Sequence, residues 1–129
     1  RALLLLEQEG LIKLKEGVGL SATASDIAEN PHNYKIVELE ARLLPTTLQD
    51  VDVAVINGNY AIDAGLKVSD AIAVEAAGGA AAEAYVNVLA VKEGKEDSAG
   101  IQALVKVLQS EEVRSFIADT YDGAVVALF

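Results

Sequence analysis

The chain has no cysteine and a single histidine among its 129 residues. A disulfide framework, a thiolate nucleophile and a thiolate metal site are therefore unavailable, and zinc held by paired imidazoles goes with them. Basic residues are scarce: ten Lys and Arg stand against 20 Asp and Glu, for a net charge of −10. Nucleic-acid binders present a basic face, so nucleic acid is not an expected partner. A polybasic grip on anionic lipid is missing for the same reason. Long apolar runs are also lacking. The opening run Ala2 to Leu6 is far too short for a signal-peptide core or a membrane span. No serine lies in a nucleophile elbow, no glycine-rich phosphate loop is present, and no His/Asp/Glu spacing suits a metal. An enzyme reading therefore has little positive support, and no cofactor is expected.

What is present is a chain that is 52% apolar, enough for the core of about one domain. Its central feature is Val51-Asp52-Val53-Ala54-Val55-Ile56-Asn57-Gly58-Asn59-Tyr60. A β-branched run stops at an amide, a glycine, a second amide and a phenol. Ala61 to Ala64 can be helical, and Gly65 can close that helix. Strand, polar corner, helix is how an open α/β sheet builds a ligand site beyond the carboxyl ends of its strands. A helix start at the corner adds free N–H groups that favour an anion.

Arg1 to Glu9 reads as a helix with Gly10 after its end. No Ser, Thr, Asp or Asn precedes it as a cap, which reads as a chain whose beginning lies before Arg1. The four leucines Leu3 to Leu6 cannot share one face, so this helix is expected to be covered on more than one side. Leu11 to Leu14 is a weak strand. Ser21 to Asn30 reads as a short helix capped by Ser21 or Thr23 and ended by Pro31. Tyr34 to Glu40 and Val51 to Ile56 read as strands. Between them Thr46 and Gln49 fit a capping box. Ala71 to Val74 is a short strand, Ala76 to Ala82 a loop, and Tyr85 to Val91 an apolar strand interrupted by Asn87. Two helices follow: Ile101, Leu104, Val105 and Leu108 repeat at helical spacing. Ser110 caps the second, with Glu111 and Glu112 in its first turn. Val113, Phe116, Ile117 and Tyr121 form its stripe, and Gly123 ends it. Strands alternating with helices define an α/β chain.

Asn57 offers two donors and an acceptor, which can hold both ends of a zwitterion. The alternative is a plain turn former, since Asn-Gly is a common tight-turn pair. Asn87 interrupts an apolar strand, where an amide without a partner costs on the order of 1–3 kcal/mol. Tyr60 can stack on or hydrogen-bond a ligand, or serve as core with a wet hydroxyl. His32 reads as a solvated loop residue. Asp52 and Asp63 have nothing to bring them together for acid/base work. Arg1, at a helix start, can hold a carboxylate, or be a solvated arginine.

Several stretches together resemble the methionine-binding lipoprotein (NlpA) family. They are Arg1-Ala2-Leu3-Leu4-Leu5-Leu6, Gly10-Leu11-Ile12-Lys13-Leu14-Lys15, Glu29-Asn30-Pro31, Lys35-Ile36-Val37-Glu38-Leu39-Glu40, Ala54-Val55-Ile56-Asn57, Tyr85-Val86-Asn87 and Gly123-Ala124-Val125-Val126. The resemblance implies an α/β, periplasmic-binding-protein-like (type 2) two-lobed fold that closes on its ligand. It covers only the later half of such a protein. Residues 1–89 would be the second ligand-binding lobe lacking its first strand, and residues 90–129 a hinge strand and helices returning to the first lobe. The signal peptide, a lipidated cysteine and the aromatic side-chain pocket would precede Arg1. The implied function is capture of methionine, a close analogue or a dipeptide for an ABC importer permease. The protein would be lipid-anchored at the outer face of a bacterial membrane, or periplasmic. Arg1 matches the arginine that pairs with the amino-acid carboxylate, and Asn57 and Asn87 match the two ligand-binding asparagines. An enzyme on the same two-lobed fold, or an acidic surface module, is the alternative, because fold alone does not decide function.

Overall fold

The computed structural model describes residues 1–76, 78, 80–121 and 123–129. Helix α1 (Ala2–Gln8) opens the chain. It ends as the glycine predicts: Gly10 has φ +70°, Leu11 N–H donates to Leu6 O at 2.9 Å, and Gly10 N–H to Glu7 O at 2.9 Å. That pair of bonds is a Schellman closure, which needs the left-handed backbone that glycine adopts without penalty. Leu3 to Leu6 are all half-buried and none is fully covered.

The chain then turns into strand β1 (Lys13–Leu14), antiparallel to β2 (Ile27–Glu29), with Lys13 opposite Glu29 and Leu14 opposite Ile27. The Lys13 ammonium reaches Glu29 Oε1 across the ladder at 3.1 Å. Leu14 N–H, which the short ladder leaves over, donates to Glu7 Oε1 at 2.7 Å and ties α1 to the hairpin. Ile12 and Leu14, at 4% and 5% exposure, are the buried centre of this unit. Segment Ser21 to Asn30 is not a helix. It starts at the end of one 3-10 turn, Gly19–Ser21, and holds a second, Ala24–Asp26, and then β2. Thr23 does cap: its N–H donates to Asp26 Oδ2 at 2.9 Å and its hydroxyl to the same oxygen at 2.8 Å. The turn stops because Ile27 and Glu29 find ladder partners in β1, and a sheet bond outweighs weak helical propensity.

Two further sequence expectations fail for one reason. Tyr34 to Glu40 and Val51 to Ile56 form no ladder, and among the described residues the sheet holds β1 and β2 alone. A strand's hydrogen bonds come from a neighbouring strand. Ala71 to Val74 and Tyr85 to Val91 are likewise without ladder bonds. The capping box expected at Thr46 is also absent. Thr46 and Thr47 lie in a 3-10 helix, Ala41–Thr47, and their hydroxyls donate back to Leu43 O and Leu44 O at 2.7 and 2.8 Å.

Helix α2 (Gly58–Asp63) follows Asn57 and closes on Gly65, φ +76°, with Leu66 N–H on Ala61 O and Gly65 N–H on Ile62 O, both at 2.9 Å. In the Ala76 to Ala82 stretch, residues 77 and 79 lie outside the described residues, and α3 (Ala80–Ala84) replaces the rest of the expected loop from Ala80 onward. Helices α4 (Ala99–Leu108) and α5 (Glu111–Tyr121) stand where the periodicity puts them. Val113 N–H donates to Ser110 Oγ at 3.4 Å, the expected cap. The α5 stripe is only partly covered: Phe116 is 60% exposed.

Large apolar side chains remain open along the chain. Val37, Val53, Tyr85, Val88 and Val126 are exposed, and among the described residues only Ile12, Leu14 and Ala81 are fully buried.

Candidate ligand-binding site

The site grows from the two ends of α1. Arg1 and Gln8 are seven residues apart, two turns of helix, so they share a face. Both reach one remote segment, residues 74–76. Gln8 clamps its backbone from both sides: Nε2–H donates to Val74 O and Ala76 N–H donates to Gln8 Oε1, each at 3.4 Å. Glu75, between them, meets Arg1. The guanidinium Nε–H donates to Glu75 Oε1 at 3.1 Å, and Nη2–H donates to Oε2. This is the two-pronged arginine–carboxylate pairing that fixes a guanidinium in plane as well as in place. The Tyr85 ring lies under Arg1, 5.0 Å from centroid to the guanidinium carbon, a cation–π contact.

The charges respond as this geometry requires. Hydrogen bonding to Arg1 holds the Glu75 carboxyl below its usual range, against a smaller opposing effect of partial burial. Hydrogen bonding to Glu75 raises the Arg1 guanidinium further above its usual value. Both groups stay charged throughout the neutral range.

Asn57 is the residue before α2. Its backbone is extended, φ −65° and ψ 139°, and its carbonyl accepts Ala61 N–H at 3.1 Å. The main chain therefore starts the helix. The side chain makes no capping bond and is exposed. This is a helix start, so the tight-turn reading of Asn57-Gly58 does not hold. The corner is held close to the C-terminal tail: a β-carbon at Gly58 would lie 3.2 Å from Ala124 O. Tyr60 is half-buried in the first turn of α2. Asn87 is exposed, in an extended segment without ladder bonds. The sequence-based expectation of an amide inside a covered strand is thus corrected: Asn87 carries no burial penalty, because the strand that would cover it has no partner.

Among the described residues, no hydrogen bond joins Arg1, Asn57, Tyr60 and Asn87 to one another, and the amides of Asn57 and Asn87 have no protein partner. What the structure brings together is Arg1, Glu75, Tyr85 and Gln8. Sequence reasoning missed Glu75. The available signal was its isolation, the single charge between Asp70 and Glu83 in an apolar, small-residue stretch. Asp52 and Asp63 make no pair, and no cluster of His, Asp or Glu among the described residues suits a metal ion. His32 lies on a loop closed by Asn30, whose amide exchanges two bonds of 2.9 Å with the Tyr34 backbone. No helix of the described residues is long and apolar enough to cross a membrane.

The structure thus sets the Arg1 guanidinium near the Tyr85 ring and leaves the amides of Asn57 and Asn87 open to solvent. The chain is similar to the D-methionine-binding lipoprotein MetQ of Escherichia coli (strain K12), 43% identical over 129 residues, which cover 98% of this chain and 46% of that protein. It is similar to a nutrient binding protein from Burkholderia cenocepacia bound to methionine, at 47% identity and a TM-score of 0.88, covering 100% of this chain and 54% of the other. It is also similar to an ABC transporter, periplasmic substrate-binding protein from Coxiella burnetii, at 42% identity and a TM-score of 0.85, covering 98% and 52%. The chain thus spans about half the length of the relatives it matches. Its fold is the periplasmic-binding-protein-like fold of those substrate-binding proteins. A profile of the NlpA lipoproteins matches residues 1–129, and the chain belongs to the NlpA lipoprotein family, a family of substrate-binding transport proteins.

Proposed function

We propose that this chain is part of an extracytoplasmic solute-binding protein that captures methionine, or a close analogue, and passes it to an ABC importer permease without chemical change. The observation that carries the reading is the match, along the whole chain, to a methionine-bound protein at a TM-score of 0.88. In this reading the protein is bacterial and sits at the outer face of the membrane by an N-terminal lipid anchor, or in the periplasm. Residues 1–89 belong to the second ligand-binding lobe and residues 90–129 return to the first.

Arg1 takes the ligand carboxylate, as a fixed guanidinium suits a planar anion. Asn57 and Asn87 take the remaining backbone polar groups, because an amide can accept from an ammonium and donate to a carboxylate. Tyr60, beside Asn57 on α2, borders the ligand. The free amides at positions 57 and 87 support this assignment. Isothermal titration of the full-length protein with L- and D-methionine, other amino acids and methionine dipeptides tests it. Saturable methionine binding, lost in Arg1→Ala, is the expected result. Methionine turnover, or no amino-acid binding at all, refutes it.

A further inference from the structure

Arginine has five N–H donors on two usable edges. Glu75 occupies one edge, Nε with Nη2. The other edge, Nη1 with the second Nη2 hydrogen, has no partner among the described residues, and the Arg1 side chain is 40% exposed. The Tyr85 ring, with its centroid 5.0 Å from the guanidinium carbon, adds a second contact to the same group. A carboxylate from solution can therefore pair with Arg1 without displacing Glu75.

We propose that Glu75 is the positioning residue for Arg1: by taking the Nε/Nη2 edge it presents the Nη1/Nη2 edge to the ligand carboxylate, while Gln8 holds the 74–76 segment against α1. This deepens the methionine-binding reading and rests on it. An unsupported arginine side chain gives up rotamer entropy when it is fixed by a ligand, and a pre-formed fork gives up less of it. The Glu75 carboxylate also sits beside the incoming carboxylate, a repulsion that a zwitterion with its own ammonium tolerates better than a simple anion. Gln8 matters because Glu75 comes from a segment with no ladder bonds of its own, so the two bonds from Gln8 fix where the carboxylate stands.

The test is a double-mutant cycle on the full-length protein, read by titration with methionine beside ligand-free melts. Glu75→Gln keeps the shape and loses the charged fork, and methionine affinity is expected to fall roughly tenfold, the lower end for a charge-assisted hydrogen bond. Arg1→Lys keeps a charge without a fork, and in that background Glu75→Gln should have no further effect. If Arg1→Lys and Arg1→Ala leave affinity unchanged, the binding role of Arg1 itself fails. If they weaken it while Glu75→Gln does not, only the positioning role of Glu75 fails. An equal loss from Glu75→Gln in both backgrounds means that Glu75 touches the ligand directly and overturns the proposal. Gln8→Ala gives a second reading should Glu75→Gln not fold. It should weaken binding in the Arg1 protein and not in the Arg1→Lys protein, and equal effects in the two count against the proposal.

Discussion

Asn87→Ala separates ligand recognition from folding more sharply than any other single change. The Asn87 side chain is exposed, makes no hydrogen bond among the described residues and stands on backbone without ladder bonds. Removing it therefore leaves no buried donor or acceptor behind, and surface substitutions of this kind fall within about 0.5 kcal/mol of neutral. If its amide pairs with a charged end of the ligand, the lost bond is worth roughly 1.5–3 kcal/mol. That corresponds to about tenfold to a hundredfold in affinity. The two effects differ by severalfold, so one protein preparation distinguishes them. Calorimetric titration with methionine should show the weakened affinity, and a ligand-free melt should superimpose on that of the unaltered protein. The melting temperature at saturating methionine should fall, because the stabilisation from binding is smaller. Unchanged affinity combined with a clear drop in the ligand-free melting temperature would refute the reasoning and make Asn87 a structural amide.

Gly65→Ala forces a β-carbon into φ +76° at the end of α2, a left-handed strain of roughly 1–2 kcal/mol. A lower melting temperature is expected, and Gly65→Asn, which tolerates that backbone, should recover most of it. The Arg1–Glu75 pair should be acid-sensitive only at low pH. The folded Glu75 pKa is depressed by its bond to Arg1, so its contribution is full above the unfolded carboxyl value of about 4.3. It is lost as pH falls through the lower folded value. With Arg1 40% exposed, that contribution is about 1 kcal/mol or less, and an NMR titration of Glu75 with a midpoint at or above 4.3 would contradict it. Expressed by itself, the 129-residue chain should bind a hydrophobic dye and self-associate, because Val37, Val53, Val88 and Phe116 are open to solvent. Light scattering that finds a monomer with a cooperative melt would count against that expectation.

The helix punctuation of this chain is legible because it is local chemistry. Gly10, Gly65 and Ser110 do what those residue types do at helix ends, and the partners that prove it lie within five residues. The strands were less legible: β2 (Ile27–Glu29) fell inside a stretch that reads as helix, and the other strand candidates were legible only as extended backbone. Whether Val51 to Ile56 is a strand depends on a neighbour that no window of sequence contains, and the same holds for Tyr34 to Glu40. Thr46 and Thr23 carry the same capping pattern, yet Thr23 caps and Thr46 does not. The difference is the geometry before each: Thr46 already lies inside a 3-10 helix whose Leu43 carbonyl takes its hydroxyl. In the site, Asn57 was readable as the residue where an apolar run stops. Glu75 was not, because its partner is 74 residues away.

The exposure of Arg1, Asn57 and Asn87 bears on how such a site reaches useful affinity. Two unit charges 4 Å apart attract by about 1 kcal/mol in bulk water and about 4 kcal/mol at the effective dielectric of a partly covered protein site. In the proposed reading, an amino acid held by these three residues in open water would be bound weakly, however well the donors are aimed. Tight capture needs a second surface that excludes water from the same contacts. The open apolar side chains of this chain are the physical counterpart of that need, since they too are stabilised by whatever covers them. If Glu75 aligns Arg1 as proposed, alignment and cover by an opposing surface act on different quantities. Alignment lowers the ordering cost of Arg1, and cover raises the strength of each bond it makes. Losing the first should weaken methionine more than a simple carboxylate, which is also relieved of the repulsion from Glu75, whereas losing the second should weaken every polar contact at once.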